Sequence, residues 1–314
     1  MSPPPRAEVR AELAVVIVSH NTRGALLACL RSLAANARLP LEIVIVDNAS
    51  ADGSLEAVRA VHPSVHVLAN ATNEGFAHGA NQGLRASHAP FVLFLNSDAE
   101  ITPGSLEALI ARARAGDDIG IVGPRLRDGE GVIEVSTGPV LTPFAEWLQR
   151  RLVRGVARRR PRALREAEKL HAREAEPAWV SGACLLARRE ALDAVGGFDE
   201  GFFLYEEDAD LCLRVRAARW RIVFSPAAEV LHRRGESTAG APRRARLEYD
   251  RSHLRYYAKH NGPLATLGLR TLLAARAGAA FVRGLLRGDA EERTDAVARA
   301  RLAWARGARS HDRA

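Results

Sequence analysis

The sequence predicts an α/β protein built on a mostly parallel central sheet flanked by helices, and three observations predict it. Apolar runs of strand length alternate with amphipathic helical stretches from Leu13 onward, the pattern that crossover connections turn into a parallel sheet. The runs are apolar at successive positions, as strands covered on both faces are. Polar residues gather directly behind them, at Asp47, Asn48, Asn96 and Asp98, the rim where such sheets hold ligands.

Leu13 to Ser19 (LAVVIVS) is the first predicted strand. His20 and Asn21 end it, and Thr22 is placed to cap a helix from Arg23 to about Asn36 whose Leu26, Leu27, Leu30 and Leu33 form one stripe. Leu41 to Val46 is the second strand, and the Asp52-Gly53-Ser54 turn opens the next helix. Val65 to Leu68 and Phe91 to Leu95 are the third and fourth strands, the fourth running into Asn96-Ser97-Asp98. Between them, Gly75, Gly79 and Gly83 recur every four residues, with Asn73, Phe76, His78 and Asn81 interspersed. Glycines on one helical face let a helix approach a strand or ligand closely, although the same spacing also fits a glycine-weakened helix start.

Ile119 to Val122 and Val132 to Val135 read as further strands. The arginine-rich stretch 142–176 has helical propensity and little apolar periodicity, so it is expected to be exposed or mobile. A strand at Ala183 to Leu186, a helix near Arg189 to Val195, an acidic helix from about Glu206 to Ala218 and a strand at Ile222 to Phe224 complete the domain. Beyond Arg233 the chain is basic and helical.

The 314 residues suffice for one large α/β domain with an appended piece, and 47% apolar with 26% charged residues is ordinary soluble composition. The net charge of +8 is clustered at Arg150 to Arg173 and after Arg233, which suits phosphate-rich partners. Nucleic acid is not expected, because no aromatic interleaves the first tract for bases to stack on. Cys29, Cys184 and Cys212 have no metal or redox spacing and read as buried thiols in a reducing compartment. The N-terminus lacks a signal-peptide core, so a cytoplasmic location is expected. No membrane span is expected either; Pro263 to Leu286 comes nearest, but Arg270, Arg276 and Arg283 interrupt it, which suits an amphipathic helix on a membrane or on the domain.

The stretch from Trp179 to His232 carries the densest chemistry. Glu206, Glu207, Asp208 and Asp210 follow the aromatics Phe202, Phe203 and Tyr205 and the Gly196-Gly197 pair. Acids favour a helix's first turn, but three rings beside them suggest a pocket wall that tunes a carboxylate for base duty.

VVIVSHN, VDNASADGS, NEGFAHGANQG, FLNSDAEI and GGFDEGFFLYEEDADLCLR, in that order from Val15 to Arg214, together resemble the family 2 glycosyltransferases, most closely the rhamnosyltransferase-like members that build cell-surface polysaccharides. The resemblance implies the GT-A fold over 13–232, a tail at 1–12, and a basic helical extension at 233–314. It implies an inverting hexosyltransferase that uses a nucleotide diphosphate sugar, dTDP-rhamnose or a UDP-sugar, and a glycan or lipid-linked acceptor. Asp47 then accepts from the imide N–H of the base, and Ser19, Asn21, Asn48, Asn73, Gly75, Phe76, Asn81 and Asn96 line the nucleotide-sugar site. Asp98, with His232, holds Mn²⁺ or Mg²⁺ on the diphosphate, through Asn96-Ser97-Asp98 in place of Asp-x-Asp; a histidine behind a strand is also an ordinary structural residue. Asp208 is the implied base and Glu207 the reserve, while Asp210 reads as a cap of the helix or a pair within it. Lipid-linked acceptors make peripheral attachment to an anionic membrane face compatible with this reading. An inactive binding module is disfavoured by the presence of all three aspartates, and a nucleotidyl transferase by the lack of a lysine-bearing phosphate loop after the first strand.

Overall fold

The structure, a computed structural model, describes residues 11–233 and 241–305. Its centre is an eight-stranded mixed sheet. In chain order the elements begin β1 (Leu13–Ser19), α1 (Arg23–Asn36), β2 (Leu41–Asn48), α2 (Ser54–Val61), β3 (His66–Asn70), α3 (Phe76–Arg85), β4 (Phe91–Leu95) and β5 (Ala99–Ile101). There follow α4 (Ser105–Arg114), β6 (Ile119–Arg127), β7 (Thr137–Gly138), α5 (Pro143–Ala157), α6 (Pro161–Leu170), β8 (Trp179–Val180) and β9 (Cys184–Arg188). Last come α7 (Arg189–Asp193), α8 (Glu207–Ala217), β10 (Arg221–His232), α9 (Pro242–His260), α10 (Gly262–Arg287) and α11 (Ala290–Trp304).

The strand order is β3-β2-β1-β4-β9-β6-β10-β5, and β7 pairs with β8 apart from it. The pairs β2–β3, β1–β2, β1–β4 and β6–β10 are parallel, whereas β9 runs antiparallel to both β4 and β6. The reversal positions the site. Leu95, the last residue of β4, pairs with Cys184, the first of β9, so Ser181-Gly182-Ala183 reaches the rim on which β1, β2 and β4 end. β10 is also longer than its apolar core suggests; a register shift at Ser225/Glu229 lets it continue until His232 pairs with Ala99.

The apolar runs are buried as their pattern requires. Leu26, Leu30 and Leu33 of α1 and Leu106 and Leu109 of α4 cover one face of the sheet, while Ala77, Ala80, Leu192, Leu211 and Val215 cover the other. The α3 glycines serve close approach: a Cβ on Gly79 would come within 2.9 Å of Val18, and one on Gly83 would meet Val16. All three cysteines are buried and unpaired.

Three expectations need correction and one is met. Val132 to Val135 forms no strand; only a bridge between Arg127 and Ile133 joins it to β6. Thr22 stands at the start of α1 without a side-chain capping bond, because its hydroxyl is taken by Ser97 (2.9 Å) and Ser19 (3.0 Å). The arginine-rich 142–176 stretch is helical and mostly exposed, as expected: it forms α5 and α6, which bury few residues, among them Val156 and Ala167 over Ile133, with Thr142 capping α5 through Ala145 N–H. Finally, α10 is long and apolar enough to cross a membrane by length and composition. Its stripe Leu269, Leu273, Ala277 and Ala280 is nevertheless buried, and its neighbours are α9 and α11.

Candidate active site

The site lies where the strand order reverses, between β1 and β4, the usual ligand position in open α/β sheets. The Thr22–Ser97 hydrogen bond joins the two loops there. Asp47, at the end of β2, is 1% exposed. One carboxylate oxygen, Oδ2, accepts from Ser50 N–H at 2.9 Å, while Oδ1 is buried with no partner among the described residues. A buried acceptor left unmade costs free energy until a donor reaches it.

Several predicted binding residues make hydrogen bonds within the protein. Asn21 knits the loops behind β1 and β2, donating its N–H to Ser50 and accepting from Ala51 N–H. Asn48 donates to Gly75 O and accepts from Asn70, and Asn73 accepts from Gly75 N–H. Asn81 holds both the N–H and the C=O of Phe198 at 2.9 Å. Gly75 adopts φ +87°, and a Cβ there would strike Phe203 O, to which Phe76 N–H donates at 2.7 Å. These contacts lock α3 to the loop leading into α8. Ser19 is buried against Thr22.

A cleft of about 390 Å³ opens beside them, with Phe76, Asn96, Gly182, Glu207, Asp208 and His232 among its walls. Asp208 arrives at the start of α8, after a backbone with φ +72° at Tyr205 and +65° at Glu206. Two successive non-glycine residues in the left-handed region cost about 1–3 kcal/mol each and persist only where surroundings enforce them. Here His253 of α9 supplies the enforcement, its Nδ1 3.0 Å from Glu206 Oε1 and its Nε2 3.1 Å from Glu146 Oε2 of α5. Burial opposes the charged form of His253, but the two carboxylates prevail and raise its pKa to about 9.

The carboxylates of α8 differ sharply. Asp208 accepts from Gly182 N–H and Ala209 N–H, both at 2.8 Å. Burial outweighs these bonds and lifts its pKa to about 6. Glu207, 7% exposed, is pushed well above the usual carboxylate range by burial and by Asp208. Asp210 is fully buried and paired with Arg214, Lys259 and His260. Burial acts against its charge, yet the bonds from His260, Lys259 and Arg214 hold its pKa at about 2. Of the three rings expected to wall the cleft, only Tyr205 does so; Phe202 packs with Leu254 and Tyr256 instead.

Asp98 Oδ1 and His232 Nε2 face each other at 3.3 Å, and His232 Nδ1 lies 3.2 Å from Glu134 Oε2. A histidine whose far nitrogen is held by a carboxylate presents the other as an oriented ligand. No set of three or more metal-ligating side chains is present among the described residues. Two protein ligands completed by substrate phosphates suit Mg²⁺ or Mn²⁺. Sequence reading missed Glu134, whose signal was a lone acid inside the apolar run VIEV, and it missed His253 and Glu146, which carry no local motif.

The site thus combines a buried acid with an unpartnered oxygen, an Asp–His pair and a carboxylate whose pKa burial raises to about 6. The chain belongs to glycosyl transferase family 2, whose model matches residues 14–196, while the model of glycosyl transferase family group 2 matches 139–287. It is 33% identical over 241 residues to the N-acetylglucosaminyl-diphospho-decaprenol L-rhamnosyltransferase of Mycobacterium tuberculosis, covering 73% of this chain and 78% of that one. It is 25% identical over 195 residues to the low-salt glycan biosynthesis hexosyltransferase Agl10 of Haloferax volcanii, covering 61% and 58%. Among solved structures, the mannosyltransferase PcManGT of Pyrobaculum calidifontis with GDP-Man and Mn²⁺ matches at TM-score 0.56 and 18% identity, over 95% of this chain and 88% of that one. GalNAc-T7 with UDP, GalNAc and Mn²⁺ matches at 0.57 and 18%, over 80% of this chain and 48% of the other. The fold is therefore GT-A, and the protein is a rhamnosyltransferase-like hexosyltransferase.

Proposed function

We propose that this enzyme transfers a sugar, rhamnose from dTDP-rhamnose before a hexose from a UDP donor, to a glycan or lipid-linked acceptor, a saccharide on a lipid diphosphate first, during cell-surface polysaccharide synthesis. The mycobacterial relative, named for rhamnosyl transfer to a diphospho-decaprenol saccharide, supports the donor and acceptor classes. The observation that carries the chemistry is Asp208: cleft-facing, held by two N–H donors and poised near pH 6, so that it is ionised yet basic at neutral pH.

Asp47 Oδ1 takes the imide N–H of the pyrimidine base. Asp98 and His232 would hold a divalent ion, and Glu134 keeps the histidine aimed. That ion, when bound, offsets charge on the leaving diphosphate. Asp208 removes the proton from the acceptor hydroxyl as its oxygen bonds to the anomeric carbon. The bond from that carbon to the diphosphate breaks on the opposite face, its electron pair leaving with the nucleoside diphosphate, so configuration inverts. Glu207, whose charged form is disfavoured by burial and by the neighbouring Asp208, is the weaker candidate for this proton. Peripheral attachment at the cytoplasmic membrane face, where a lipid-linked acceptor resides, belongs to the same proposal.

The test is release of nucleoside diphosphate from dTDP-rhamnose and from UDP-sugars, with a lipid-diphosphate acceptor, before and after chelation of divalent ions. Acceptor-dependent release from dTDP-rhamnose that chelation abolishes and Mn²⁺ restores is expected. Activity with none of these donors would overturn the proposal.

A further inference from the structure

A second groove, of about 360 Å³, runs between α5 and α10. Among the residues that line it, Trp147, Arg150 and Arg154 of α5 and Leu269, Leu272 and Arg276 of α10 stand at i, i+3 and i+7, beside the acid Glu146. That spacing puts the three side chains of each helix on one face, so the groove has apolar walls and three guanidiniums. Arg150 is neutralised by Glu146, whereas Arg154 and Arg276 have no carboxylate partner among the described residues. Burial and the neighbouring charges of Arg150 and Arg154 hold the pKa of Arg276 below the usual arginine range. Crowded like charges of this kind are relieved by a bound anion.

The groove is not isolated. Glu146 and Arg150 line both it and the cleft that holds Asp208. Outside it, Phe144 stacks on Trp147 at 6.2 Å, and the pair is exposed, as are Leu264 and Leu267 of α10. Exposed rings and leucines next to unpaired arginines match a ligand that is anionic at one point and hydrocarbon beyond it.

We infer that the α5–α10 groove is the seat of the acceptor's isoprenoid diphosphate, with Arg154 and Arg276 on the diphosphate and Trp147, Leu269 and Leu272 on the first isoprene units. The saccharide then extends past Arg150 toward Asp208. This rests on the proposed reading and names the part of it that recognises the lipid.

Calorimetric titration with farnesyl diphosphate tests it without requiring turnover, so a failure of sugar transfer and a failure of this site are separable. Farnesyl diphosphate binds, and farnesol and inorganic diphosphate each bind at least about tenfold more weakly, since each supplies only half of the contacts. In Arg154→Ala/Arg276→Ala the farnesyl diphosphate affinity falls by about tenfold or more, while nucleotide binding, read in the same instrument, reports an intact fold. Equal affinity for farnesol or for inorganic diphosphate would overturn the inference. So would undiminished binding by the double variant. Arginine-dependent association with phosphatidylglycerol vesicles in the absence of farnesyl diphosphate binding would overturn it as well, and make the groove a bilayer contact.

Discussion

The two faces of helix α8 carry the same residue type two positions apart and put it to opposite uses. Asp208 looks into the cleft, accepts hydrogen bonds from N–H groups with no cation paired to it, and has its pKa raised to about 6 by burial. Asp210 looks away, is fully buried, and is neutralised by Arg214, Lys259 and His260, with its pKa lowered to about 2. The difference teaches that burial alone does not make a base. Burial with dipoles leaves a carboxylate reactive, whereas burial with cations makes it a structural tie.

The largest expected effect breaks the cleft face. Asp208→Asn should lower kcat by about 10³-fold, within the range for a general base, and leave the Kd for the donor nucleotide unchanged in the same preparation. On the opposite face, Asp210→Ala should leave three cationic side chains around an empty buried position and cost roughly 3 kcal/mol, read as a lowered denaturant midpoint. Retained stability there would mean that α9 is held by other contacts.

A pH series sharpens the same contrast. Because the folded pKa of Asp210 is depressed to about 2, its stabilising contribution is complete above the unfolded value and is lost as pH falls through the folded one. With about 3.9 for the unfolded chain, the difference is worth roughly 2.5 kcal/mol. Unfolding midpoints should therefore decline between about pH 5 and pH 2, and Asp210→Ala should flatten that part of the decline. The smallest effect lies outside both faces: Gly79→Ala presses a methyl into Val18 and should cost about 1–2 kcal/mol, with kcat near normal once folded.

Much of this was legible in the sequence because it is local. Leu13–Ser19 and Arg23–Asn36 match their predicted bounds, since an unbroken apolar run and a leucine stripe each have one low-energy solution. For Asp210 the sequence left a cap and a pair within the helix both open; the pair with Arg214 is present, and the partners Lys259 and His260 on α9 were not readable. The path of β9 was not, because an antiparallel insertion between parallel strands leaves no mark on a five-residue apolar run. Nor were the hydrogen bonds of Asn48 and Asn81 to backbone groups distant in sequence. The His253 contacts with Glu206 and Glu146 span 47 and 107 residues of chain, and no periodicity encodes a contact of that range. In the 142–176 stretch the helices and their exposure were legible, whereas the few buried positions, such as Val156 of α5 and Ala167 of α6, carry no apolar periodicity that marks them.

The account stands on Asp208 being the group that takes the acceptor's proton. The most direct measurement is the pH dependence of kcat/KM for the acceptor between pH 4.5 and 8. The account predicts a tenfold fall per pH unit below an inflection near 6, set by the burial that raises this carboxylate. A flat profile, or an inflection at the ordinary carboxylate value near 4, would contradict it.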